Sequence, residues 1–196
     1  MRGFATAATI GLLGALLAAP AAAQYGNPAG MTPGAPQEKP GVPAPDHPNA
    51  TARLFARLAV AGGLAEVELG ELATRQGGGE AVQGFAQRMV EEHSKANERL
   101  VGVAGEAGIP LPDAPDAEHQ AQRDRLEPLS GRDFDLAYMS GQVRDHIRTA
   151  QLLAWEIGSG QDADMQRFAA DTLPAVLDHL RQAQELLVRL RTEAGS

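Results

Sequence analysis

The chain has no cysteine in 196 residues, which excludes disulfides, thiolate metal sites and cysteine nucleophiles, and leaves its fold to packing alone or to packing plus a metal. Aromatic residues make up 4% of it, with a single tryptophan. Basic residues are outnumbered, giving a formal net charge of −8, and they form no stripe. Phosphate backbones and anionic lipid surfaces both need concentrated Lys and Arg, so the composition argues against nucleic acid and membrane-surface partners. No segment alternates polar and apolar with the period of a strand, and the glycine-rich stretches lack the strand–loop–helix context of a phosphate cradle.

Apolar character is concentrated at the N-terminus. Met1-Arg2-Gly3 precedes a run from Phe4 to Ala19 interrupted only by small residues, Thr6 and Thr9, and Ala21-Ala22-Ala23 follows before Gln24. This reads as a signal peptide over residues 1–23. The run is too short to span a bilayer with comfort, and no segment after it would do so. Without a cysteine after the run a lipoprotein is excluded, and the expected location is the periplasm or the cell exterior, with the outer membrane as a place of attachment. Residues 24–49 carry Pro28, Pro33, Pro36, Pro40, Pro43, Pro45 and Pro48 with almost no large apolar side chain, a linker composition that cannot bury enough surface to offset its ordering entropy. Residues 50–196 are then one domain.

From Ala50 the apolar residues recur at three and four, the helical period. Four long helices are predicted, over about Thr51–Gln76, Glu80–Ala107, Arg132–Ile157 and Asp162–Thr192. Gly77-Gly78-Gly79, Gly108 with Pro110, and Gly158-Ser159-Gly160 end the first three, because glycine tolerates the left-handed backbone that closes a helix and proline cannot extend one. Ser130 and Asp133 mark a helix start, and Pro174 is expected to kink the last helix. Residues 108–132 form a long connection in which Asp116 to Leu126 can make a short polar helix. Short connections within each helix pair and a long one between the pairs predict an all-α, ferritin-like four-helix bundle; a simple up-down-up-down bundle is the alternative.

Each helix carries a polar residue near the centre of its apolar stripe when successive residues are set about 100° apart. In the first helix Glu68 falls among Leu54, Leu58, Ala61, Ala65, Leu69 and Leu72, and Glu66 is placed on the other side. His93, His146 and His179 occupy the corresponding positions in the other three, at matching depth. One carboxylate and three imidazoles at one level suit a single divalent ion such as zinc or iron. A metal-free polar core, with Glu68 hydrogen-bonded to one imidazole, fits the same residues. Each histidine also follows an acid, among them Glu92, Asp145 and Asp178. Adjacent helical residues do not face each other, so these acids read as solvated charges in preference to partners of the imidazoles. Trp155 lies opposite His146 and reads as packing against the crossover, and no serine sits in a nucleophile elbow.

The segments Glu66-Val67-Glu68-Leu69-Gly70, Phe85-Ala86-Gln87-Arg88-Met89-Val90-Glu91-Glu92-His93, Gly108-Ile109-Pro110-Leu111-Pro112, Phe134-Asp135-Leu136-Ala137-Tyr138-Met139, and Leu173-Pro174 with His179-Leu180 resemble, in order and spacing, domain-of-unknown-function family 4142 over about residues 51–190. The resemblance implies an exported bacterial protein with a ferritin-like fold, of outer-membrane or periplasmic description, and no established reaction. Di-iron members of the ferritin-like fold use Glu-x-x-His, but Val90, Val143 and Val176 stand three residues before the histidines, which argues against a two-metal centre. The sequence therefore supports two readings: a protein holding one divalent metal at Glu68, His93, His146 and His179 for homeostasis or stress protection, or a metal-free interaction module of the cell envelope whose protein partner is unspecified.

Overall fold

Glycine and proline punctuation sets the helix ends in the computed structural model, which describes residues 50–193; the signal-peptide and linker readings lie outside those residues. Helix α1 spans Ala50–Gln76, α2 Glu80–Glu106, α3 Ala117–Leu126, α4 Gly131–Ser159 and α5 Ala163–Thr192. Among the described residues there is no strand beyond an isolated bridge between Gly77 and Gly131. Helix α2 ends as expected for a glycine stop: Gly108 adopts φ 65°, its N–H donates to the Gly105 carbonyl and the Ile109 N–H to that of Ala104. This pair of bonds satisfies carbonyls that the helix end would otherwise strand, while Ile109 packs into the core. Asp116 and Asp162 cap α3 and α5 with their side chains, whereas Ser130 stands at the α4 cap position without a side-chain bond. Helix α5 runs on through Pro174.

Helices α1 and α2 form one antiparallel hairpin and α4 and α5 the other; α1 lies against α4 and α2 against α5. The connection from α2 to α4, carrying α3, returns along the length of the bundle, so α4 starts at the same end as α2. This is the ferritin-like arrangement, and the up-down-up-down alternative is set aside. At that end Gly78 lies so close to Gly131 that a Cβ on it would come within 2.7 Å of the Gly131 Cα. Beside this contact the Asp135 carboxylate accepts from the N–H groups of Gly78 at 2.9 Å and Gly79 at 3.1 Å, tying the first hairpin's turn to the base of α4.

The apolar interior is divided in two. One cluster gathers Leu69, Leu72, Phe85, Met89, Phe134, Tyr138 and Leu187; the other gathers Phe55, Val60, Leu100, Leu153, Met165, Phe168 and Val176. In each long helix a buried polar residue falls between the two: Glu66, His93, His146 with Gln142, and His179. The bundle thus has a polar layer at its waist.

Candidate metal centre

Three helices deliver the imidazoles. His93 from α2, His146 from α4 and His179 from α5 are 7%, 1% and 2% exposed. Their ring centroids stand 5.5 Å apart for His93–His146, and 5.4 Å apart for both His93–His179 and His146–His179, a nearly equilateral triangle. Each offers one nitrogen, and these atoms lie within 4.8 Å of one another. A tetrahedral ion bound at about 2.0–2.1 Å from each nitrogen would hold the nitrogens about 3.4 Å apart, so the rings draw inward to seat an ion.

Hydrogen bonds behind the rings decide which nitrogen is free. His146 Nδ1 donates to the Gln142 carbonyl at 3.0 Å, one turn back on the same helix; its proton is therefore on Nδ1 and the lone pair on Nε2. His179 Nε2 donates to Glu92 Oε2 at 2.7 Å, which leaves the lone pair on Nδ1. His146 Nε2, His179 Nδ1 and His93 Nε2 are all buried without a hydrogen-bond partner. Buried polar atoms of this kind call for an occupant. A bond to the far ring nitrogen is also the usual way a protein orients an imidazole ligand and raises its basicity.

The electrostatics favour the ligand form of all three. Burial, followed by the neighbouring imidazoles, holds His93 well below the ordinary histidine range. Burial pushes His146 down to about 4 against the opposing pull of the Gln142 carbonyl and Asp145. Burial also lowers His179, with Glu92 resisting. The rings are consequently neutral at neutral pH, and a site of three neutral nitrogen donors accepts first-row ions without a proton to expel from the rings.

The carboxylate of this layer is Glu66, not Glu68. Glu68 is half-buried, while Glu66 is buried, and the expectation that Glu68 completes the ligand set is corrected accordingly. Of the stripe Leu54, Leu58, Ala61, Ala65, Leu69 and Leu72, Leu58 is exposed and Leu54 half-buried. The buried face follows Ala52, Ala56, Gly63, Gly70 and Ala73 beside Phe55, because small residues let α2 approach closely. A Cβ on Gly70 would stand 2.8 Å from Val90 Cγ2, and one on Gly63 would meet the Asn97 side chain. Glu66 lies on that face.

Glu66 Oε2 accepts from Gln142 Nε2 at 2.7 Å, and Oε1 lies 3.7 Å from His146 Nδ1, behind the ring and away from its free nitrogen. Burial, then the nearby Asp145 charge, pushes Glu66 up to about 8. It supports His146 and is not among the converging atoms.

Glu92 is likewise more than a solvated charge. It bridges His179 to Arg88, whose Nε donates to Glu92 Oε1 at 2.7 Å and whose Nη1 donates to Asp178 Oδ2 at 3.0 Å. The i,i+4 spacing of Arg88 and Glu92 was a sequence signal for their pair; the reach of Glu92 to another helix had none. Asp145 accepts from Gln122, and Asp178 from Arg88, Arg181 and Gln182. Trp155 packs partly buried beside the second apolar cluster.

Fold and site together define a ferritin-like helical bundle with a buried triad of histidines at its waist. The chain belongs to the family described as domain of unknown function DUF4142, whose model matches residues 37–186. No curated protein matches it. Among solved structures it is similar to a DUF305 protein from Streptomyces coelicolor, called a secreted protein, at 16% identity with a TM-score of 0.62, over 75% of this chain and 96% of that one. That likeness is one of fold. No described helix is long and apolar enough to cross a membrane.

Proposed function

We propose that this protein binds one first-row divalent metal ion, zinc or iron, through His93, His146 and His179, and serves metal homeostasis or stress protection outside the cytoplasm. The observation that carries this reading is the convergence of three buried, unpartnered ring nitrogens from three helices. Export rests on the signal-peptide reading of residues 1–23, with residues 24–49 as a tether, and the secreted designation of the DUF305 neighbour supports it.

Three protein ligands leave a fourth position for water or a small ligand, the arrangement of sites that bind and exchange as well as hold. With Val90, Val143 and Val176 in place of the di-iron glutamates, and Glu66 behind His146, the site takes one ion.

Calorimetric titration of chelator-treated protein with zinc tests the reading. One equivalent is expected to bind to the wild type, and none with comparable affinity to His146→Ala or His179→Ala. Absence of binding by the wild type, or binding indifferent to both substitutions, overturns the proposal and leaves the metal-free interaction module.

A further inference from the structure

A groove of about 570 Å³ opens between α1, α3 and α4 on the flank of the bundle, a volume in the range of small-molecule sites. Its apolar wall is made by Trp155 and Leu152 of α4 and Leu58 of α1. The exposure of Leu58, unusual for a leucine in the first turns of a packed helix, places it here. Asp145 lines the groove earlier along α4, and Asp116 at the start of α3 and Glu118 of α3 add two more acids, against Arg148 and His119, the latter 2.9 Å from Asp116.

Asp145 is 4% exposed and is held in place from one side only. Gln122 Nε2 donates to its Oδ2 at 2.8 Å, and Gln122 gets that close because residue 141 is glycine: a Cβ there would fall 2.5 Å from the Gln122 amide nitrogen. The second oxygen, Oδ1, is buried with no hydrogen-bond partner. Arg148 stays 4.0 Å away from it and pairs with Glu118. A buried acceptor with a bond unmade, on a residue of the groove lining, asks for a donor, and three carboxylates against Arg148 and His119 ask for a cation.

The three acids do not converge as metal ligands. Among the described residues the histidine triad alone brings ligating atoms together. The cation that fits has its charge at one end and apolar bulk at the other, to lie along the indole, where a cation and an aromatic face also attract.

We propose that this groove binds a small organic cation, an ammonium on an apolar or aromatic body, with Asp145 Oδ1 accepting its hydrogen bond and Trp155 and Leu152 covering its body. The groove adjoins the histidine triad, since Asp145 precedes His146, but the proposal does not rest on the metal reading.

Trp155 is the only tryptophan in the chain, so intrinsic fluorescence reads the groove directly. Full-chain protein, with chelator and with zinc, is titrated with 2-phenylethylamine, 2-phenylethanol and phenylacetate, and calorimetry is run in parallel. The amine is expected to shift the emission saturably, the alcohol to bind at least about tenfold more weakly and the acid not at all, since an ammonium gives a carboxylate a charge-assisted bond, a hydroxyl only a neutral one, and a second carboxylate is repelled. Asp145→Asn is expected to weaken the amine about tenfold or more.

Gly62→Leu keeps the test sound if Asp145→Asn misfolds. Gly62 lines the groove, a Cβ on it meets nothing within 4 Å, and leucine favours the helix over glycine, so this variant fills the groove in a folded protein and is expected to abolish binding. Equal binding of amine and alcohol, amine binding unchanged by Gly62→Leu, or tighter binding of a lysine peptide than of the amine overturns the assignment. So does a zinc titration that shifts Trp155 emission in the same way and blocks the amine.

Discussion

Glu92 on α2 accepts a hydrogen bond from His179 Nε2 on α5 at 2.7 Å while Arg88 grips its other oxygen. The Arg88 hydrogen bond, opposed by partial burial and aided by His179, lowers the Glu92 carboxyl below the usual range, so it faces the imidazole as an anion. An anionic partner fixes the proton on Nε2 and makes Nδ1 a stronger donor to an ion. Glu92→Gln keeps the shape and removes the charge. Zinc affinity, read by competition with a chromophoric chelator, is expected to fall about 10- to 100-fold with the helical circular dichroism unchanged. Unaltered affinity would show that the carboxylate does not tune the ring.

Metal-free protein is expected to be most stable between about pH 6 and 7, from opposed proton linkages. The imidazoles have folded-state values depressed by burial, to about 4 for His146 and in the same direction for His93 and His179. Their contribution is complete above their unfolded value and is lost as pH falls from there through the folded one. Glu66, pushed up to about 8 by burial and then Asp145, contributes fully below its unfolded value and loses that contribution as pH rises through 8. Glu156, pushed up to about 7 by burial and then Asp162, follows the same rule. As pH falls below the ordinary histidine value the imidazoles oppose the carboxyls; above 7 only the carboxyls act. Urea midpoints measured with chelator from pH 4.5 to 8.5 check this, and a midpoint still rising at pH 8.5 would contradict the placement of Glu66.

Asp135→Ala should unlock the bundle end where α1, α2 and α4 meet. The substitution strands the N–H groups of Gly78 and Gly79, each now bonded to one carboxylate oxygen, in a turn too tight against Gly131 to readjust. A loss of about 2–3 kcal/mol is expected by urea denaturation, in keeping with removal of a charged partner from part-buried donors. Zinc stoichiometry should not change, because Asp135 lies three helical turns from His146. A loss below about 0.5 kcal/mol, the range of ordinary surface changes, would mean that water replaces the carboxylate.

Helix limits could be read in the sequence because glycine and proline act locally: Gly77-Gly78-Gly79 and Gly108 end α1 and α2 near the positions their backbone chemistry demands. The three histidines were readable as a group because each interrupts an apolar stripe, and a break in periodicity survives projection onto a wheel. Glu66 was not. Its face of α1 is lined by alanine and glycine, and a stripe that takes in Leu54 and Leu58 turns the helix away from it. The Glu92–His179 bond joins residues 87 apart, and the Asp145 groove needs α3 laid across α1 and α4; neither leaves a trace in local spacing.

The triad draws one imidazole from the first hairpin and two from the second, and the helices pack more extensively within each hairpin than between them. An ion seated there would act as a rivet through the seam. A chain nicked in the crossover would then keep its two halves together when loaded and let them part when stripped, so that the ion would govern the cohesion of the molecule as well as occupy it.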